Sequence, residues 1–262
     1  MTRRCLLLVV VIAWVVAVPA YADDGDAPPP QVRIRFIPRY DFHLSADRLS
    51  TTDPRFVWDT NFGGEVDLVD YAVGRATFTG NFESVLGNQF RNFDPNQGNY
   101  LLDSSLSLRG HGTEAAALFH HTSRHLSDRF KSAAVAWNML GVRVQRAGAA
   151  RGTAIHVQGD LLRSLVKNNV DYNWEADSDV HVVVPLRTAL SIVTAAHLQL
   201  MGVDATQHRG TQTGARAEAG VRFAGEKGAI ELIVAAERRI DPYPLEFSTL
   251  SWVSAGFRFV SR

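Results

Sequence analysis

Apolar and polar residues alternate with a period of two along most of this chain, in segments of about ten residues. The clearest segment places Ala215, Ala217, Ala219, Val221 and Phe223 on one side and Arg216, Glu218, Gly220 and Arg222 on the other. Ile230, Leu232, Val234 and Ala236 alternate with Glu231, Ile233, Ala235 and Glu237. Ala76, Phe78, Gly80 and Phe82 alternate with Thr77, Thr79, Asn81 and Glu83. Successive side chains of a strand point to opposite faces, so each segment is a strand with one apolar and one mixed polar face. No long helical period competes, and no apolar run after residue 22 is long enough to cross a bilayer as a helix. Strands are expected near 32–44, 56–70, 72–85, 99–109, 113–124, 134–147, 151–163, 179–188, 190–201, 212–224, 228–239 and 250–260.

The connections between them alternate in length. Gly110-His111-Gly112, Gly148 to Gly152, Arg187-Thr188 and Gly225 to Gly228 are tight, whereas 45–55, 86–98, 125–133, 164–178, 202–211 and 240–249 are long and polar. Tight turns at one end and long loops at the other, with an even strand number, describe a transmembrane barrel rather than a soluble sheet. The expected fold is therefore all-β, a closed antiparallel transmembrane barrel of about twelve strands, with ten the nearest alternative. The last segment, Leu250 to Phe259, ends in aromatics near the C-terminus. It resembles the terminal strand by which outer-membrane barrels are recognised by their assembly machinery. The polar faces carry Arg75, Glu83, Asp103, Arg109, Glu114, Asp160, Arg216, Glu218, Arg222, Glu231 and Glu237. Both signs are mixed, so the lumen is expected to be laced by ion pairs and mostly blocked. His156, His181 and His197 share these faces without zinc-site spacing and are read as structural.

Residues 1–22 read as a secretory signal: Arg3 and Arg4, an apolar core from Leu6 to Val18, and Ala20-Tyr21-Ala22 as the cleavage site. Cys5, the chain's one cysteine, leaves with it, so neither a disulfide nor a cysteine metal site is expected in the mature protein. Loss of Arg3 and Arg4 leaves 27 − 2 = 25 basic against 27 acidic residues, a balance that gives no reason to expect nucleic-acid binding. Residues 23–30, Asp-Asp-Gly-Asp-Ala-Pro-Pro-Pro, read as a flexible periplasmic lead, and 31–262 as the barrel.

Candidate chemistry lies in Phe119 to Asn138. His121 and Ser123 are two apart in an expected strand and share a face, with Cα atoms roughly 6.6 Å apart. The neighbouring residues Ala115, Ala117 and Phe119 set that face outward, while Glu114 and Arg124 fall on the inner one. Asn138 is outward in the next strand, since Leu140, Val142 and Val144 alternate with Gly141 and Arg143. A serine, a histidine and an orienting amide are the parts that activate a hydroxyl for acyl transfer. Polar residues at headgroup level are the plainer account of the same three groups.

The stretch resembles the outer-membrane phospholipase A family, twelve-stranded barrels with His-x-Ser on one strand and Trp-Asn on the next; here these are His121-Thr122-Ser123 and Trp137-Asn138. The resemblance spans about 20 residues. It implies Ser123 as nucleophile, His121 as general base and Asn138 as its orienter. It further implies a phospholipid or lipid A substrate, a homodimer, and a calcium ion at the adjacent loop, where Ser127 and Asp128 are kept. Arg124 stands where that family has an asparagine, and the loop is a few residues longer. His121 to Asp128 is equally similar to an uncharacterised group of outer-membrane barrels carrying His-x-Ser-Ser-His-Leu-Gly-Asp. Lipid A deacylase barrels share His-x-Ser with a glutamate as third member. The segment Gly87 to Asn99 has two open readings: it lies over the candidate strands and supplies Asp94 or Asn96 to a cation, or it is an ordered cap. The competing function is a non-catalytic barrel, a structural protein, narrow pore or surface-binding module of the same bacterial outer membrane.

Overall fold

A computed structural model describes residues 34–130 and 133–261. Residues 1–22 and 23–30, read above as signal and lead, lie outside them. Twelve antiparallel strands follow one another: β1 (Arg35–Leu49), β2 (Trp58–Asp70), β3 (Arg75–Gly87), β4 (Asp94–Gly110), β5 (Thr113–Leu126), β6 (Val135–Ala150), β7 (Thr153–Asn168), β8 (Tyr172–Arg187), β9 (Leu190–Val203), β10 (Gln212–Ala224), β11 (Gly228–Ile240) and β12 (Thr249–Ser261). Each pairs with its neighbours in sequence, and β1 pairs with β12 from His43 opposite Val260 to Leu49 opposite Ser254. This is a closed transmembrane barrel, in which every backbone group inside the bilayer finds a partner across a ladder.

The alternation sorts the faces. On β11, Val234 is 58% exposed to the surroundings of the barrel while Glu231 is fully buried within it. Glu231 stands opposite Arg222 of β10, whose Nε donates to its Oε1 at 2.6 Å. Arg239 donates to Glu83, Glu237 and Asp59, and Arg75 reaches Glu65, Asp67 and Glu114. Charges taken out of water need such partners, and removing one of a buried pair costs about 3–5 kcal/mol. The interior is filled further by an apolar cluster of Leu118, Val135, Trp137, Met139, Leu162, Tyr172, Met201 and Ile240. Beside it lies a cavity of about 260 Å³ lined by Glu83, Asn99, His120, Trp137, Glu175 and Arg216, among others.

Several strands run further than the residue pattern indicates. β1 extends to Leu49 rather than 44, β4 starts at Asp94 rather than 99, and β8 starts at Tyr172 rather than 179. The connection expected at 164–178 shrinks to residues 169–171. Asp94 to Gly98 of β4 carry no alternation, whereas Tyr172, Trp174 and Ala176 of β8 alternate with Asn173, Glu175 and Asp177; in both the ladder continues, because backbone N–H and C=O groups still need partners. The other connections at that end, 50–57, 88–93, 127–134, 204–211 and 241–248, remain longer than the turns at 111–112, 151–152 and 188–189.

Candidate active site on the outer face of β5

β5 runs from a tight turn toward the loop end, and its last residues carry every group of the candidate site but one. Ala115, Ala117 and Phe119 are exposed while Ala116, Leu118 and Thr122 are buried, so odd residues face out. His121, Ser123 and His125 therefore form one outward row near the loop end. The β5–β6 ladder sets His121 directly opposite Asn138, with Trp137 and Met139 buried on the other face. Ser123 lies opposite Ala136 on β6 and Tyr100 on β4. Ala136 carries only a methyl, which leaves the hydroxyl open on that side. Phe119, Leu140 and Tyr100 surround these groups with exposed apolar surface, so they form a polar island on a lipid-facing wall.

His121 Nδ1 lies 2.5 Å from Asn138 Oδ1. An amide oxygen only accepts, so Nδ1 carries the proton and Nε2 of the neutral ring keeps its lone pair. Ser123 Oγ is not on that nitrogen: it lies 2.8 Å from Nε2 of His125. The His125 ring meets Tyr100 edge-on, their centroids 5.6 Å apart. The structure thus brings His121 and Asn138 together as expected, keeps Ser123 on the same face, and gives the serine a different resting partner. His125 was not among the residues singled out from sequence, although it continues the two-residue series of His121 and Ser123.

The even residues of β5 face the lumen. His120 Nδ1 lies 2.6 Å from Asp103 Oδ1, and its Nε2 lies 2.8 Å from Thr122 Oγ1. Arg124 donates to the carbonyls of Asp241 at 2.6 Å and Pro242 at 2.8 Å, fixing the 241–248 loop over the barrel mouth.

The four residues considered for a cation lie at the loop end of the barrel: Asp94 and Asn96 open β4, and Ser127 and Asp128 follow β5. Asp128 is exposed and its Oδ2 accepts from Arg91 at 3.0 Å. Asp94 is buried and accepts from Arg129 at 2.6 Å. The Ser127 N–H donates to the Asn96 carbonyl at 3.0 Å, and the Ser127 carbonyl accepts from Arg129 at 3.0 Å. Asn96 donates to the Arg55 carbonyl, while its buried Oδ1 has no partner. No trio of histidine, cysteine or acidic side chains suited to a metal ion occurs among the described residues. The segment from Gln89 to Asn96 packs on the β5–β6 loop through Arg91–Asp128 and Arg129–Asp94.

No family model and no curated protein matches the sequence. Solved structures do. The chain is similar to the calcium-bound dimer of the outer membrane phospholipase of Salmonella typhi, with 12% identity, 85% of this chain and 90% of that one covered, and a TM-score of 0.51. The outer membrane phospholipase A of Escherichia coli covers 87% of this chain and 98% of its own, at 11% identity and the same TM-score of 0.51. An active-site mutant of that E. coli enzyme, with an asparagine replaced by alanine, matches equally at 11% identity and TM-score 0.51. The fold is shared with the outer-membrane phospholipases. At this identity the likeness is one of architecture, and the chemistry has to be argued from the side chains.

Proposed function

We propose that this protein is a serine acyl hydrolase of the bacterial outer membrane that cleaves an ester bond of a membrane lipid. The observation that carries the reading is the His121–Asn138 pair, which fixes the imidazole in the tautomer with a lone pair on Nε2, on the same outward face as Ser123. His121 and His125 flank Ser123 at equal spacing along the strand, roughly 6.6 Å either way. A rotation about the serine χ1 carries Oγ from one imidazole toward the other. Ser123 Oγ then attacks the ester carbonyl and its proton passes to His121 Nε2. As the ester C–O bond breaks, that proton goes to the leaving alcohol, and water returned through the same base releases the fatty acid from Ser123. Asn138 holds the ring throughout, and as a neutral partner it avoids setting a bare carboxylate against lipid.

The outer wall supports a lipid substrate. Gly64 and Gly80 stand opposite each other on β2 and β3, Gly80 opposite Leu102, and Leu102 opposite His121. The missing side chains leave an apolar trough of about 450 Å³, walled by Phe62, Phe78, Phe82 and Tyr100. It reaches the candidate site through Tyr100, beside Ser123, and gives an acyl chain a place to lie. Lipid diffusing in the bilayer plane would reach Ser123 without entering the barrel.

The competing reading, a non-catalytic barrel, draws on the Ser123–His125 bond, which ties the hydroxyl away from His121. Hydrolysis of detergent-dispersed phospholipid and of lipid A by the purified, folded protein separates the two, measured over a range of protein concentration so that a homodimer can form. Release of fatty acid supports the hydrolase; no turnover of either lipid hands the protein to the non-catalytic class.

A further inference from the structure

We propose that Arg129 is the resident cation of the loops above Ser123, so that they are held in place without a divalent metal. Its guanidinium sits in a cage of four oxygens. Nη2 donates to Asp94 Oδ2 at 2.6 Å and to Gln89 Oε1 at 2.9 Å. Nη1 donates to the carbonyls of Pro95 at 2.7 Å and Ser127 at 3.0 Å. Its plane lies over the Phe90 ring, 5.1 Å from the centroid, and only 12% of the side chain is exposed.

A carboxylate, an amide oxygen and two backbone carbonyls are the donor set that calcium takes, and calcium wants six to eight such oxygens. Here that set is spent on a planar donor whose fork spans two carbonyls and a carboxylate at once, a geometry that guanidinium matches and a spherical ion does not need. The charges agree. Asp94 and Asp128 carry the two negative charges of these loops, and Arg129 and Arg91 already balance them. A divalent ion at Ser127 and Asp128 would meet two guanidinium groups and no unpaired carboxylate. The residues present therefore do not fit calcium. Arg129 does here what a bridging ion would do, joining the start of β4 and the loop before it to the loop after β5. The claim about the loops stands whether or not Ser123 is catalytic; the corollary that turnover survives chelation rests on the hydrolase reading.

The test uses the full chain refolded in detergent and reads binding and loop protection rather than activity. Calcium chloride titrated by calorimetry is expected to give no saturable heat, and the thermal midpoint is expected to be the same in calcium and in chelator. Arg129→Met is expected to raise amide exchange in 88–98 and 127–134 about tenfold while the barrel strands keep their protection; Arg129→Lys, which keeps the charge but not the fork, should fall between. Saturable calcium binding by the wild type that Asp94→Asn abolishes would overturn the proposal, as would unchanged exchange in Arg129→Met. Should Arg129→Met fail to fold, the wild-type titration decides alone.

Discussion

The two faces of β5 carry nearly the same residue types and treat them differently. Inward, His120 is held between the Asp103 carboxylate and the Thr122 hydroxyl, and Asp103 is held in turn by Arg143 at 2.9 Å. Outward, one residue along, His121 is held by a neutral amide and Ser123 by a second imidazole. The inner row has charged partners because the lumen is polar, and Asp103 joins His120 there to Arg143 and, through it, to Asp160. The outer row faces lipid, where a carboxylate would be costly, and it uses groups that hydrogen-bond without a net charge. The inner row is explained by the barrel that it holds together. The outer row balances none of the lumen charges, and that is the argument for its having work to do. A hydroxyl–imidazole–carboxylate series is thus a poor guide by itself: the better formed of the two series in this strand is the one with a structural explanation.

The largest expected effect is chemical and falls on the outer row alone. Ser123→Ala should lower ester hydrolysis at least a thousandfold, about 4 kcal/mol, since the groups of such a site act as a unit. Thr122→Val, its inward neighbour, should leave the rate within about threefold of wild type. His121→Ala should lose about 10²–10⁴-fold, the usual contribution of a positioned base. All three need the same control, retention of the heat-dependent gel shift of a folded barrel. A dead Thr122→Val with an active Ser123→Ala would reverse the assignment of the two faces.

Much of this contrast is legible in the chain before any coordinates. The alternation around Ala115 to Phe119 puts His121 and Ser123 outside, and that of Leu140 and Val142 brings Asn138 to the same side, because the side-chain period of a strand is fixed by its geometry. The strand number is legible for the same reason. What escapes is whatever depends on rotamers and on distant partners. Ser123 has two equally spaced imidazoles to choose from, and strand periodicity does not rank them. Asp94 and Asp128 look like free carboxylates until the fold brings Arg129 and Arg91 against them. The loop-end extension of β4 escapes because Asp94 to Gly98 do not alternate, whereas Tyr172, Trp174 and Ala176 of β8 do alternate with Asn173, Glu175 and Asp177, a period-two run that a loop reading of 164–178 passes over.

The next effects are of one to a few kcal/mol, and they divide between the faces. His120→Ala leaves Asp103 short of one partner and Thr122 without its imidazole, and should lower unfolding stability by about 1–3 kcal/mol with turnover per folded molecule unchanged. Asn138→Ala should do the reverse: stability close to wild type, and kcat/KM about tenfold lower, the worth of one hydrogen bond that orients the base. Denaturant unfolding in detergent, paired with lipid hydrolysis on the same samples, measures both. A stability loss in Asn138→Ala with no loss of rate would place Asn138 in the structural class with His120.

The smallest expected effect belongs to His125, and it sharpens the comparison most. His125 holds Ser123 in the resting structure, so it is the natural rival to His121 as base. What favours His121 is the Asn138 oxygen on its Nδ1, which fixes the tautomer that leaves a lone pair on Nε2, while the His125 ring stands edge-on to Tyr100. If the proton goes to His121, the Ser123–His125 bond is made in the ground state and broken before attack. Removing it then frees the hydroxyl rather than disabling it. His125→Phe, which keeps an aromatic ring beside Tyr100, should change kcat/KM by less than about threefold, with any change toward a higher rate. A fall as deep as that of Ser123→Ala, with His121→Ala still active, would make His125 the base and leave the His121–Asn138 pair as a polar belt at the membrane surface.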